Sequence, residues 1–533
     1  MSAATVPTVA ELLDQAQLAY ADDRFDDVRT ALEAAFAAAK AAGDLPVAAR
    51  SAIGLVDLQA SVLGNVAAGN GWRARAARVL RDAGPCVEHG HYEIAVIACE
   101  RPDVEELAAA ADRALAIGEE FGDAGLVVRA LAEGGLALVS QGRTQEGFDR
   151  LDEALAAVCA GEVPDDLAAV GRVFCAMLTA CERADDVARA EEWIRLADEM
   201  ILVPTGGRPK ILHTHCRAAY GAVLCGAGRW DEAEAAMLTV LGPEGSRSVG
   251  HRVDTIARLA RLRIAQGRLD DAAALLAGNE DRLAVWLPLA EVHLRRGDPA
   301  VAIALAHRSL DVLVGDVTRR LPVLAFLVEA ELAAGDVDAA ATTARELDDA
   351  ATRIGSGGAL ATAAIGRARL AAATGDHDGA VVDCHAAVEL LRRSDAPTTL
   401  VTAHRLAAES LADAGRSADA VAEARAALAL AQRLGSVGES DRITALLRRL
   451  GVASLPVADG AAGARLAGLT ARETQVLEHL GHGATNAEIG AELFISAKTV
   501  EHHVSRILAK LGVRSRAEAA ALAAAAATEA GPR

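Results

Sequence analysis

Aromatic side chains are scarce in this sequence, at 3% of its 533 residues. Because β-sandwiches draw on aromatic and β-branched residues, this scarcity, in a chain dominated by Ala, Leu and Val, favours helices that pack closely on small side chains. Hydrophobic residues still make up 52% of the chain, which excludes a disordered polypeptide. At roughly 150 residues per domain, the length suggests three or four domain-sized units.

Disulfide patterns, long apolar runs and an N-terminal basic segment are also missing. The eight cysteines form no C-x-x-C pair, and they are typical of small buried hydrophobes in a reducing compartment. No stretch approaches the roughly 18 uncharged apolar residues that a membrane span needs, and no basic residue precedes Arg24. The sequence therefore predicts a soluble protein of the cytoplasm with no membrane contact.

The motifs of common catalytic and metal sites are absent as well. Neither Lys40 nor Lys210 stands in a Gly-x-x-x-x-Gly-Lys-Ser/Thr loop, and Gly-x-Ser-x-Gly does not occur. His213 and His215 are two residues apart, so on a helix their side chains diverge and cannot share a metal ion. We therefore expect no enzymatic activity, no cofactor and no metal, and no control by ATP or by a phosphoacceptor domain.

One phrase recurs along the chain and defines an internal repeat. A Gly is followed by a charged residue and, five positions after the Gly, by an Ala; the glycines are Gly228, Gly267, Gly297, Gly335, Gly375 and Gly415. They lie 39, 30, 38, 40 and 40 residues apart, which is the length of one helix pair. A small residue usually stands seven positions before each Gly. Fainter copies are found at Gly142-Arg143, Glu182-Arg183 and Arg24-Phe25.

The repeat predicts antiparallel helical hairpins. Gly supplies the left-handed end of the first helix, and the small residues let the two helices approach closely. Since one hairpin cannot bury both of its faces, the hairpins must stack into a superhelix with an inner concave surface. The spacing resembles the tetratricopeptide repeat, although Leu and Ala replace most of its aromatic positions and most units are longer. A protein partner, a small-molecule inducer and a purely structural role all stay open for this region.

The pattern changes after Leu450. Residues 451–465 contain a Pro and three glycines without a sustained period. We interpret them as a linker between a repeat domain, residues 1–450, and a C-terminal domain, residues 466–533.

Three helix starts can be read from the C-terminal domain. Thr470 and Glu473 fit a capping box for a first helix. Asn486 can cap a second helix, and Ser496 can cap a third, which runs over residues 497–511. The second and third helices are only a few residues apart, which is typical of a helix-turn-helix.

The third helix separates into two faces. The apolar face must lie in the core and consists of Val500, Val504, Ile507, Leu508 and Leu511. The opposite face carries Lys498, Glu501, His502, Ser505 and Arg506, with Lys510 near the end. Although the chain as a whole has a net charge of −20, residues 496–516 contain five basic residues and one acid, a local charge of +4. This segment has the charges that contact with phosphate requires.

Four segments carry a family resemblance: residues 469–473, 486–490, 496–513 and 515–519. Together they resemble the LuxR-type DNA-binding domain of bacterial transcription regulators. Gly490 stands where that family usually has Ala. The resemblance also covers a fourth helix, from Ser515 to about residue 528, which corresponds to the dimerisation element of the family.

The resemblance implies a role for individual residues. Glu501, His502 and Ser505 would face the bases, and the acidic Glu501 would accept a hydrogen bond from a cytosine amino group. Phosphate contacts would come from Lys498, Thr499, His503, Arg506 and Lys510. Asn486 and Ser496, at the starts of the second and third helices, complete the candidate DNA-binding residues.

The sequence thus predicts an all-α protein, in which an α-solenoid of tetratricopeptide-like hairpins precedes a small four-helix helix-turn-helix domain. We interpret it as a transcription regulator that binds double-stranded DNA as a homodimer and is nucleoid-associated when bound. A protein partner or small-molecule inducer at the repeats would control it. The alternative is a repeat scaffold whose C-terminal domain docks protein rather than DNA.

Overall fold

The structure, a computed structural model, divides the chain into two units, Met1–Ala420 and Val421–Arg533. It describes residues 7–523 except 101–102, 164–166, 203–209, 244, 393–395, 453–470, 482–483, 494–496, 512, 514, 517 and 521–522. Throughout these residues the regular secondary structure is helical and no strand occurs, so the predicted all-α class is confirmed. The domain boundaries at residues 450 and 465 stay predictions, since most of the linker lies outside the described residues.

The first unit is a succession of helices: α1 Val9–Ala21, α2 Phe25–Ala42, α3 Leu45–Asp57, α4 Val66–Ala83, α5 Glu88–Glu100, α6 Val104–Phe121, α7 Ala124–Ser140, α8 Thr144–Cys159, α9 Leu167–Ala184, α10 Val187–Leu202, α11 Lys210–Gly226, α12 Trp230–Leu241, α13 Val249–Ala265, α14 Leu269–Leu276, α15 Leu283–Arg295, α16 Pro299–Val312, α17 Val317–Ala333, α18 Val337–Ile354, α19 Gly357–Ala373, α20 His377–Leu390 and α21 Pro397–Asp413. A π-helical turn, Leu58–Val62, directly follows α3. The division between the units falls inside α22, Ser417–Leu434, and α23, Val437–Arg449, follows it.

The repeated glycines end the first helix of each hairpin, as predicted. All six have φ between 78° and 88°, in the left-handed region, and the next helix begins two residues later. The N–H of the residue after the Gly donates to the carbonyl five positions back, as from Arg229 to Leu224 at 3.0 Å. This bond is part of the Schellman motif, which satisfies a carbonyl that the helix end leaves free.

Two of the fainter copies turn on Asp instead of Gly. Asp23 and Asp185 have φ of 56° and 55°. The N–H of Arg24 donates to the carbonyl of Ala19 at 2.9 Å, so the hairpin predicted around Arg24 is confirmed. The placement of the other copy at Glu182-Arg183 is wrong by three residues, since its turn is at Asp185. Asp enters the left-handed region more readily than other side-chain-bearing residues because its short carboxylate can bond locally.

Small residues lie where the two helices of a hairpin meet. Gly135 of α7 and Gly147 of α8 face each other so closely that a Cβ on Gly135 would be 2.7 Å from the Gly147 carbonyl oxygen. In the later hairpins the equivalent positions are mostly alanines, and Ala260 and Ala272 are completely buried. The predicted close approach of the paired helices is therefore confirmed.

Hairpins that are distant in sequence also touch. The Ser248 Oγ before α13 donates to the Val62 carbonyl at 3.2 Å, and the Arg247 N–H donates to Asp23 Oδ2 at 3.2 Å. The turn at Gly142 lies against the carbonyl of Arg353, at the end of α18. Each of these three contacts joins hairpins about five repeats apart, so successive turns of the superhelix meet at these points.

Hydrogen bonds contribute to the contacts between turns, whereas the described apolar clusters are local. Each described hydrophobic cluster of the repeats contains helices that are neighbours in the chain, such as α6 to α11 or α15 to α19. Hydrophobic burial therefore stabilises stacking between adjacent hairpins, and hydrogen bonds set the winding of one turn on the next.

Replacing Gly135 by Ala tests the close approach of α7 and α8. The new methyl group would collide with backbone, so we expect Gly135→Ala to lower the free energy of unfolding by about 1–3 kcal/mol. Gly71, inside α4, is the matched control because nothing lies within 4 Å of a Cβ built on it. Gly71→Ala should stabilise the helix by about 0.5–1 kcal/mol. Urea denaturation followed by circular dichroism measures both effects, and equal shifts would contradict the proposed packing.

Candidate nucleic-acid interface

Three helices of the second unit form a helix-turn-helix. They are α24 Ala471–Gly481, α25 Asn486–Glu492 and α26 Ala497–Leu511, and α26 packs against the other two. The bounds of α26 are those predicted from the sequence, and four residues separate it from α25. The common core consists of Val476, Leu477, Leu480, Ile489, Val500, Val504, Ile507, Leu511 and Ala519.

The two faces of α26 are those expected from its periodicity. Val500 and Ile507 are completely buried, and Leu508 packs at the edge of the same core. Lys498, Glu501 and Arg506 are exposed on the other side. The apolar stripe thus fixes the rotation of α26 and leaves a charged face open to a partner.

The remaining candidate residues are placed less completely. His503 is half-buried, and its Nδ1 atom has no hydrogen-bond partner among the described residues. Thr499, His502, Ser505 and Lys510 lie on α26, but their side chains are outside the described part of the chain, as is the whole of Ser496. The structure therefore brings Lys498, Glu501 and Arg506 together and leaves the predicted orientation of the other side chains untested.

The cap of α25 differs from the sequence expectation. Asn486 was expected to cap this helix, and that assignment is wrong: the cap is Thr485, whose Oγ1 accepts from the Glu488 N–H at 3.3 Å. The Glu488 carboxylate accepts in return from the Thr485 N–H at 2.7 Å, which completes a capping box. This bond lowers the pKa of Glu488. A Thr followed three residues later by Glu was the sequence signal for this cap.

Asn486 instead binds Arg516. The Arg516 Nη1 donates to Asn486 Oδ1 at 2.6 Å, and its Nη2 donates to the carbonyl of Ala484. The guanidinium therefore ties the start of α25 to the segment after α26. Arg516 belongs to the basic segment by sequence, but its charge is used inside the domain.

A contact between His479 and Glu492 joins α24 to α25. The His479 Nδ1 lies 2.8 Å from Glu492 Oε2 at the end of α25. The Ala484 N–H also donates to the His479 carbonyl at 3.1 Å across the connection between these helices. Both contacts hold α24 against α25, and α26 packs against these two helices.

Metal-binding groups and membrane-spanning helices are absent from the described residues. They contain no group of three or more His, Cys, Asp or Glu side chains that could hold a metal ion. None of the helices they form combines the length and the apolar character needed to cross a membrane.

Sequence comparisons with known proteins match the segment of the helix-turn-helix. A model of the luxR family of bacterial regulatory proteins matches residues 467–523. The spore germination protein GerE of Bacillus subtilis is 51% identical over 51 residues, which cover 10% of this chain and 69% of GerE. The transcriptional regulatory protein LnrK of Bacillus subtilis is 52% identical over 52 residues, 10% of this chain and 24% of LnrK. Among solved structures, the APC/C hetero-tetramer Cut9-Hcn1 matches at 11% identity with a TM-score of 0.34, over 84% of this chain and 96% of the matched chain.

The likeness to sequence relatives concerns the helix-turn-helix. This chain spans about a quarter of the length of LnrK, at 24%, and the repeats lie outside the matched segment. GerE, in contrast, is covered over 69% of its length at 51% identity. The chain therefore belongs to the luxR family of bacterial regulatory proteins.

Proposed function

We propose that this protein is a DNA-binding transcription regulator in which α26 enters the major groove. The observation that carries the proposal is the division of α26 into a buried apolar face and an exposed face with Lys498, Glu501 and Arg506. A helix held by its neighbours and charged on its free side has the form of a recognition helix. The family match over residues 467–523 supports it.

The candidate residues divide into base readers and phosphate contacts. Glu501, His502 and Ser505 read base edges, and Glu501 accepts a hydrogen bond from a cytosine amino group. Lys498, Thr499, His503, Arg506 and Lys510 hold phosphates, which fixes the register of the helix without reading sequence. Asn486 and Ser496 contribute from the starts of α25 and α26.

The protein binds DNA as a homodimer through the segment after α26. A helical turn begins there, since the Ala519 N–H donates to the Ser515 carbonyl at 3.1 Å and the Glu518 N–H donates to Ser515 Oγ at 3.2 Å. Ala519 is buried in the core of its own domain, whereas Glu518 is exposed. Two protomers would then read paired half-sites.

The repeats are the regulatory part of the protein. A protein partner or a small-molecule inducer binds them and controls DNA binding in the cytoplasm, and the protein has no catalytic activity and needs no cofactor. The competing candidate is a scaffold whose C-terminal domain docks protein. A genome-wide footprint that disappears when residues 466–533 are deleted favours the regulator, and the absence of a footprint favours the scaffold.

Removing two cations from α26 tests the DNA interface. We expect Lys498→Ala with Arg506→Ala to weaken binding of the full-length protein to DNA. The plot of log affinity against log salt should become shallower by about 0.9 for each phosphate contact removed, because fewer counterions are released. Fluorescence anisotropy over a salt series measures the affinity and the slope together.

The matched control removes the same charges from the repeats. Lys40 and Arg345 are exposed on α2 and α18. Lys40→Ala with Arg345→Ala should leave the affinity and its salt slope unchanged. If both double variants lost affinity equally, net charge and not this face of α26 would account for binding.

Arg516 is expected to act on folding and not on phosphate. Arg516→Ala removes two hydrogen bonds from a charged donor, each worth about 1.5–3 kcal/mol, and should destabilise the C-terminal domain. Hydrogen exchange of the amides of α25 and α26 in the full-length protein measures this loss. Arg506→Ala, on the exposed face, should leave exchange unchanged, and equal protection in both variants would refute the separation of roles.

Glu501 is expected to determine sequence preference at one base pair of each half-site. Glu501→Ala removes the acceptor for cytosine, so the preference at that position should fall by about 1–3 kcal/mol. Selection of bound sequences from a random DNA pool measures the preference. An unchanged base profile would show that Glu501 does not read the groove.

A further inference from the structure

A group of charged side chains inside the repeat array comes from hairpins that are far apart in sequence. Asp57, the last residue of α3, accepts from Arg129 Nη2 of α7 at 3.2 Å and from Arg172 Nη2 of α9 at 3.3 Å. The Glu133 Oε1 atom of α7 lies 3.8 Å from Arg172 Nη1. These four residues, Asp57, Arg129, Glu133 and Arg172, are called the interior cluster.

The side chains of the interior cluster are partly exposed to solvent. Asp57 and Arg172 are 115 positions apart in sequence, on α3 and α9. Their side chains are nevertheless 24% and 34% exposed, so they are not sealed in an apolar core. Because side chains from separate hairpins already touch here, a small molecule fits these contacts better than a polypeptide segment does.

The cluster has more hydrogen-bond donors than acceptors. Each guanidinium carries five N–H donors and no acceptor. The acceptors in the cluster are the two oxygens of Asp57 and, at longer range, Glu133. Within the described part of the chain the buried Nε of Arg129 has no hydrogen-bond partner. A buried donor without an acceptor is costly, and an anionic group would supply what is missing.

Two neighbouring features point to the same place. The π-helical turn Leu58–Val62 begins directly after Asp57, and such turns are rare in proteins and frequent at functional sites. Tyr20 of α1 senses the same charges electrostatically: burial raises its pKa to about 12, while Arg172 opposes and Asp57 reinforces the shift. Its hydroxyl therefore stays protonated at neutral pH.

We propose that the interior cluster binds a small molecule through a carboxylate or phosphate group. Arg129 and Arg172 donate hydrogen bonds to this group in competition with Asp57. This inference rests on the proposed role of the repeats as the regulatory part and narrows it to an anionic small molecule. Binding would exchange the ion pairs that join α3 to α7 and α9 for contacts with the ligand. The association of α3 with α7 and α9 would then depend on the ligand.

Thermal unfolding of the full-length protein tests the proposal, with inorganic phosphate and succinate as probes and sodium chloride of equal ionic strength as the reference. A saturable rise of the unfolding midpoint with either probe is the expected result. Asp57→Asn removes the competing carboxylate and should tighten binding about tenfold. Arg172→Gln removes one of the two gripping groups and should weaken it about tenfold or more.

The opposite signs of these two variants separate binding from a structural role. Arg367→Gln is the matched control. Arg367 is not part of the interior cluster and is paired with Asp383 at 2.9 Å. The response of this variant to the probes should be that of the wild type. If Arg172→Gln does not fold, Arg172→Lys keeps the charge and should bind the probes more weakly than the wild type. The tighter binding expected of Asp57→Asn then still separates ligand binding from a structural role.

Three results would overturn the proposal. The first is the absence of a saturable shift of the unfolding midpoint with either probe. The second is weaker binding of the probes by both Asp57→Asn and Arg172→Gln. The third is binding of hexaglutamate as tight as that of succinate, which would indicate an acidic peptide as the ligand. The phosphate and succinate arms distinguish the two anion types. Because the readout involves no DNA, failure of this inference and failure of the proposed DNA binding are seen separately.

Discussion

The repeat array depends on the close approach of the two helices in each hairpin. At Gly135 and Gly147 the backbones are so near that no side chain fits between them, and alanines take these positions in the later hairpins. Such contact leaves little volume for aromatic rings, which is consistent with an aromatic content of 3%. This close packing also restricts the backbone conformation of the turn residues, since the second helix must begin two residues after a left-handed residue.

Charge is distributed differently in the array and in the helix-turn-helix. Many arginines of the array are paired with carboxylates on neighbouring helices, as Arg258 is with Glu182 at 2.6 Å. Burial would raise the pKa of Glu329, but Arg369 and Arg295 outweigh it and hold that pKa at about 2. On α26, in contrast, Lys498 and Arg506 are exposed. An acidic protein can therefore present a cationic surface, because most of its other basic side chains have local partners.

The sequence predicted those elements whose signals are local. The left-handed glycines and the bounds of α26 follow from residues a few positions apart, and the apolar stripe of α26 from one helical period. Thr485 carries a local signal too, but Asn486 next to it offered a second plausible cap. Asp185 was missed because the repeat was defined by Gly, although Asp can adopt the same backbone conformation. The pairing of Arg516 with Asn486 depends on how the last segment folds back, and no short-range pattern encodes it.

The contacts between superhelical turns could not be predicted either, since they depend on the accumulated rotation of several hairpins. They have a consequence for how such a chain can change its length. In an open solenoid a hairpin can be gained or lost, and the neighbouring units simply close up. Here Asp23 meets Arg247, Val62 meets Ser248, and Gly142 meets Arg353, so each turn must contain a fixed number of hairpins. Deleting one hairpin between these partners would put every such contact out of register. The contacts between turns therefore fix the number of repeats that separates each pair of partners.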